Sequence, residues 1–201
     1  MAKTVVIASN NAHKVREIAG ALSFSGWEFK TLRELGIESD PAEDADDFAG
    51  NARIKALAAH EASGGMAALA DDSGLLVDAL DGAPGVYSAR YASVDGSDAD
   101  DEANNDKLLS ELAGVADEDR TARYACALCF VDEDGSETTA WGTVEGHIGR
   151  ERRGEGGFGY DPLFWPEVFE GRCTMAEVSQ EEKEQVSHRG NALRELAGKL
   201  R

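Results

Sequence analysis

Lysine is scarce in this chain. Lys3, Lys14, Lys30, Lys55, Lys107, Lys183 and Lys199 are the only ones among 201 residues, and the 20 basic side chains in all face 39 acidic ones. The resulting formal charge of −19 argues against a nucleic-acid polymer as partner, because neutralising its phosphates takes basic patches that would have to overcome this field. A small anion is not excluded, since it needs only a local positive cluster and backbone N–H groups. A surface rich in Asp and Glu and poor in Lys is expected of a halophile-like cytoplasm, where salt screens strong self-repulsion. Long apolar runs are missing too. None approaches the roughly 18 residues of a membrane span, so no membrane partner is expected. Residues 1–7 enter a strand-like run without a charged segment and a long apolar one behind it, so no signal peptide is expected. With 42% hydrophobic residues the chain is too apolar to be disordered, and its length suits one domain, 1–201, or two joined lobes. A soluble, cytoplasmic, globular protein is the expectation.

Cysteine is equally sparse. Cys126 and Cys129 form a nominal C-x-x-C, with Cys173 as the third. The pair lies in a strand-like stretch, where alternation sends the two thiols to opposite faces, and no second pair or nearby His completes a zinc set. Buried structural cysteines are expected.

The hydrophobic pattern reads as α/β. Residues 3–8 form a β-branched strand, 9–14 a polar turn, and Val15, Ile18, Ala19 and Leu22 recur at helical spacing. A short strand follows over 27–32, an acidic loop over 38–47 and a helix over 46–63. Two strand segments, 67–70 and 75–80, flank Asp71-Asp72-Ser73-Gly74. Residues 99–112 read as a helix with an acidic start, and 122–132 and 137–149 as strands joined by an Asp-Gly turn. Ser179-Gln180-Glu181-Glu182 is a capping box before a short helix. Ser187 opens a last helix with Leu193, Leu196 and Leu200 as its buried stripe.

Chemistry gathers at a few places along this pattern. A turn leaving a strand and opening a helix presents free N–H groups and the positive end of the helix dipole. Ser9 and Asn10 add neutral donors there, and Lys14 adds a charge that opposes the dipole, which an anion would explain. Asp71 and Asp72, between apolar strand segments, repel one another unless a cation offsets the cost, and Mg²⁺ suits such carboxylates. Asn51 and Lys55 share a helix face one turn apart. The loop at 154–161 contains a G-x-G-x-x-G but runs into Tyr160-Asp161-Pro162 and no helix, so it fails as a dinucleotide fingerprint. It presents Phe158, Tyr160 and Asp161, whose ring faces and carboxylate suit a nucleobase. Lys183, His188 and Arg189 add donors near the last helix. Residue types alone leave three readings open: a nucleotide hydrolase, a nucleotide-binding module without turnover, and a metal-dependent sugar phosphatase.

In order along the chain, Ser9-Asn10…Lys14, Asp71-Asp72-Ser73-Gly74, the stretch from Gly82-Ala83-Pro84-Gly85 to Arg90-Tyr91, Gly157-Phe158-Gly159-Tyr160-Asp161-Pro162 and Ser187-His188-Arg189-Gly190 closely resemble the Ham1/RdgB family of inosine/xanthosine triphosphate pyrophosphatases. The resemblance implies an elongated mixed β-sheet flanked by helices, with two lobes, a central active-site cleft and a homodimer. It implies Mg²⁺-dependent hydrolysis of ITP, dITP and XTP to the monophosphate and pyrophosphate. By motif, Ser9, Asn10, Asn11, Ala12, His13 and Lys14 would bind the triphosphate, assisted by Lys55. Asp72 would be the catalytic base and, with Glu43, a metal ligand, while Ser73 would touch substrate. Phe158, Gly159, Tyr160 and Asp161 would hold the base and sugar. Lys183, His188 and Arg189 would contact the purine, including its 6-oxo group. The chain departs from the family where Gly50-Asn51-Ala52 replaces Glu-Asn-Ala, and at Ala45 and His13, near which the family often has glycine.

Overall fold

The computed structural model describes residues 2–9, 14–15, 18, 22, 24–94 and 96–200. Strands β1 (Lys3–Ile7) and β2 (Trp27–Thr31) are followed by the short helix α1 (Leu32–Leu35), helix α2 (Phe48–Ala62) and strand β3 (Ala67–Val77). Helix α3 (Asp101–Glu111), strands β4 (Thr121–Val131), β5 (Glu137–Ile148) and β6 (Phe164–Pro166), and helices α4 (Gln180–Val186) and α5 (His188–Lys199) complete the order. The six strands make one sheet in the order β2-β1-β3-β4-β5-β6. β1 lies parallel to both neighbours, with Val5 opposite Phe29 and Ala67. β6 runs antiparallel to β5, so the sheet is mixed, as expected. No helix among the described residues is long and apolar enough to cross a membrane.

One expectation is corrected. Residues 67–80 do not form two strand segments around an acidic interruption, because β3 runs unbroken from Ala67 to Val77 through both carboxylates. Alternation then sends Asp71 and Ser73 to one face of the sheet and Asp72 to the other. Cations waiting on each face make this tolerable, so the two acids need not share one ion.

The chain forms two compact units, one from Met1–Ser73, Cys126–Gly142 and Arg189–Arg201, the other from Gly74–Ala125 and Thr143–His188. The first packs Val5, Ile7, Leu69, Leu128 and Phe130 against Leu193 and Leu196 of α5, the stripe expected for the last helix. Ile18 and Leu22 join this core, although most of the helix expected around them lies outside the described residues. Helix α2 starts where Asp47 Oδ1 accepts from the Gly50 N–H at 2.7 Å, and the acidic loop ends there. Cys126 and Cys129 are free and buried, and burial pushes their thiols up to about 12 and about 11, which makes them inert packing groups.

The second unit is centred on Leu75, Leu108, Leu112, Tyr124, Ile148 and Phe164. Arg120 is buried here, and its guanidinium donates to the carbonyls of Leu112 at 2.7 Å, Ile148 at 2.8 Å and Gly149 at 2.7 Å. One side chain thus ties the end of α3 to the end of β5. Arg120→Met keeps the apolar stem but strips three carbonyls of their donor, and it is expected to lower stability by on the order of 3 kcal/mol. Urea unfolding checks this as a fall in midpoint with an unchanged slope.

Candidate active site

The first unit gathers charge on both faces of β3. On one face Asp71, 1% exposed, accepts at Oδ2 from Lys14 Nζ at 3.0 Å and from Arg189 Nε at 3.1 Å. Arg189 also reaches Ser73 Oγ through Nη2 at 3.1 Å. Burial alone would raise the Asp71 carboxyl, but the charges of Lys14, Arg189 and Lys55 outweigh it and hold the group well below the usual carboxylate range. Asp71 is therefore a fixed anion. Its Oδ1 is buried without a hydrogen-bond partner.

Asp72, on the opposite face, is in a different state. Its Oδ2 accepts from Asn51 Nδ2 at 3.3 Å and its Oδ1 from Lys55 Nζ at 3.1 Å. The same ammonium donates to Glu43 Oε2 at 2.7 Å. Burial pushes Asp72 above the ordinary carboxylate value, against the pull of Lys55 and Lys14 and with help from Glu43. For Lys55 burial works downward, but Asp72, Glu43 and Asp71 more than reverse it, so it stays charged. Two adjacent carboxyls thus take opposite characters, one a permanent counter-ion and the other a group with raised proton affinity, which is what a general base needs. The i, i+4 spacing of Asn51 and Lys55 puts both on the one carboxylate. Asn10, Asn11, Ala12 and His13 lie outside the described residues.

The second unit holds a separate cluster around the glycine-rich loop. Asp161 Oδ2 accepts from the Phe158 N–H at 2.8 Å and from Lys183 Nζ. Gly157 adopts φ +78°, and a Cβ there would stand 2.2 Å from Asp161 Oδ2, so the loop closes over the carboxylate only with glycine at this point. Lys183 Nζ sits 4.3 Å from the centre of the Phe158 ring, and that ring is 46% exposed. Tyr160 and Asp161 do not present themselves as expected. Both are buried, with Tyr160 Oη donating to the Ser88 carbonyl at 2.8 Å, so they shape the loop that displays Phe158. Gly159 is held by Asn105, whose Nδ2 donates to its carbonyl at 2.9 Å, and by Asp101 Oδ2 at 2.7 Å from its N–H. His188 stacks on Tyr124, with ring centres 5.1 Å apart and planes 15° from parallel. Burial and Asp161 raise the Tyr124 phenol well above its usual value, so it stays protonated.

Sequence reasoning missed Asn105 and Tyr124. A pair of adjacent asparagines in α3, Asn104 and Asn105, both buried, was the available signal. Arg189 was expected to donate to a purine, yet its Nε and Nη2 are engaged by Asp71 and Ser73. A cavity of about 580 Å³ in the second unit, lined by residues that include Arg120, His147, Arg150 and Trp165, involves none of the candidate site residues.

The model of the Ham1 family matches residues 5–199. The chain belongs to the Ham1 family. It is 51% identical over 190 residues to the dITP/XTP pyrophosphatase of Desulforamulus reducens, covering 94% of this chain and 92% of that protein. To the dITP/XTP pyrophosphatase of Haemophilus influenzae it is 47% identical over 202 residues, with 100% of each chain covered. The solved structure of the Staphylococcus aureus Ham1 protein superposes with a TM-score of 0.87 at 40% identity over 98% of both chains. Ham1 membership fits the α/β fold and the mixed sheet described above.

Proposed function

We propose that this chain hydrolyses dITP and XTP, the substrates its relatives' names carry, and with them ITP, to the nucleoside monophosphate and pyrophosphate. The observation that carries the reading is the pair Asp71–Asp72, in which one carboxylate is buried against Lys14 and Arg189 while its neighbour meets Asn51 and the Lys55 ammonium that also holds Glu43. Attack on the α-phosphorus needs an activated water and neutralised phosphate charge. Asp72 would accept the proton of that water. Lys14 and Lys55 would neutralise the triphosphate, and Ser73 would donate to it.

The reading includes Mg²⁺. Glu43 and Asp72 converge on one ammonium and offer only hard oxygen donors. Among the described residues no three His, Cys, Asp or Glu side chains form a ready cage, and Mg²⁺ asks for none, taking one or two carboxylates and completing its shell with water and phosphate. When bound it would stabilise charge on the phosphates and the pyrophosphate leaving group. Phe158 would stack on the purine, while Lys183 and His188 would donate to its 6-oxo group. Adenine would set its 6-amino group against these donors and be rejected. Arg189 would act by holding Asp71 and Ser73 in place. A cytoplasmic homodimer completes the reading, on the strength of the family resemblance.

Product analysis tests it. The purified protein with Mg²⁺ is expected to release monophosphate and pyrophosphate from dITP and XTP and little of either from dATP and dGTP. Phe158→Ala is expected to raise KM for dITP by about tenfold through lost stacking while leaving kcat within about threefold, because the ring touches no reacting atom. Orthophosphate as product, or equal use of dATP, would overturn the reading.

A further inference from the structure

Gly50 stands in the first turn of α2, a place where glycine weakens a helix relative to alanine, and its φ is not one that requires glycine. The reason for it is steric. A Cβ at Gly50 would lie 2.5 Å from the Cβ of Ala45 and 3.2 Å from Asp47 Oδ1. Ala45 cannot yield by turning a side chain, since its methyl is fixed to the backbone of the acidic loop. Its own N–H donates to Asn51 Oδ1 at 3.0 Å, and Asn51 passes the restraint on by donating from Nδ2 to Asp72 Oδ2. Two residues before Ala45, Glu43 meets Lys55, the other partner of Asp72.

We propose that the close contact of Ala45 with Gly50 is a latch that seats the Glu43 loop on α2 and, through Asn51 and Lys55, fixes the Asp72 carboxylate. Ala45 and Gly50 are positioning residues. They touch no substrate, and their effect reaches the chemistry only through the groups they place. Two independent lines reach Asp72 from this contact, one through the Ala45 N–H and Asn51, the other through Glu43 and Lys55. The catalytic half of the inference rests on the reading of Asp72 as the base, whereas the steric half does not.

The test is a cycle of four proteins: wild type, Gly50→Ala, Ala45→Gly and the double variant. Each is measured by its urea midpoint and by kcat and KM for dITP. Gly50→Ala is expected to lower the midpoint although alanine is the better helix former. It is also expected to lower kcat by about 30-fold, with KM within about threefold, since a displacement near 1 Å at a reacting group costs up to about 10²-fold. Ala45→Gly alone lowers kcat by only about threefold, by loosening the loop. The double variant regains kcat to within about threefold of wild type, together with a midpoint at or above it, a non-additivity diagnostic of contact. Additive effects in the cycle, or a Gly50→Ala protein with wild-type kcat, would overturn the latch. Should Gly50→Ala not fold, a folded double variant supports the latch and an unfolded one overturns it. If the wild type turns over no dITP, the functional reading fails, while the midpoints still decide the steric coupling.

Discussion

Asp72→Asn is expected to lose dITP hydrolysis by about 10³-fold in kcat, within the range found when a general base is removed, and to keep its fold. Asparagine has the shape of aspartate and retains an oxygen for Lys55 Nζ or Asn51 Nδ2, so the local geometry survives. What disappears is the proton acceptor. KM measured at saturating Mg²⁺ should change little, because Lys14 and Lys55 keep their charges, Lys55 keeps Glu43, and excess metal offsets the weaker hold of an amide on the ion. Stability should hold or rise. A carboxyl raised above its unfolded value contributes stability below that value and loses it as pH climbs, so at neutral pH the buried charge of Asp72 is a net cost. Removing it exchanges activity for stability, the usual relation at a functional site. Steady-state kinetics and a urea titration on the same preparation read both effects. A variant that retains about a tenth or more of the wild-type kcat would exclude Asp72 as the base, since a base of this kind supplies at least about 10²-fold.

The neighbouring substitution should do the reverse. Asp71→Asn removes the counter-ion of Lys14 and of the buried Arg189, leaving two cations without it, and the expected loss of stability at neutral pH is about 3–5 kcal/mol. Its pH dependence follows from sign. The folded Asp71 carboxyl is depressed below its unfolded value, so its contribution is complete above that value and is lost as pH falls toward the folded one. The gap between wild type and Asp71→Asn should therefore be constant near neutrality and narrow below about pH 4, the ordinary range for Asp. Other carboxylates titrate in both proteins and cancel in the difference. Urea midpoints of the pair at several pH values measure the gap. A variant as stable as wild type at neutral pH, or a gap that ignores acid, would show that Asp71 is not the anion holding these cations.

The contrast between these two residues marks what the sequence could and could not say. Signals confined to a few neighbouring residues were readable: the Asp-Gly turn between β4 and β5, and Ser179 with Glu182, which form the capping box of α4. The leucine stripe of α5 and the opposed cysteines of β4 follow from periodicity alone and are found as expected. Long-range pairing was not readable. Asp71-Asp72 looked like an interruption because carboxylates in mid-strand are costly without partners, and the partners are Lys55 for Asp72 and, for Asp71, Lys14 and Arg189, the last 118 residues away. Arg189 also binds Asp71 and Ser73, a pairing that nothing local reveals. In the glycine-rich loop composition identified the segment but not its facing, and Tyr160 and Asp161 turn inward while Phe158 turns out. Gly50 was visible only as a departure from the Ham1 pattern, and its meaning required the position of Ala45.

In the proposed reaction a water activated at Asp72 attacks the α-phosphorus of a purine nucleoside triphosphate. Hydrolysis of dITP in water enriched in the heavy oxygen isotope, followed by mass spectrometry of both products, tests it most directly. One labelled oxygen is expected in dIMP and none in pyrophosphate. Label in the pyrophosphate, or in released orthophosphate, would place the attack on another phosphorus and contradict it.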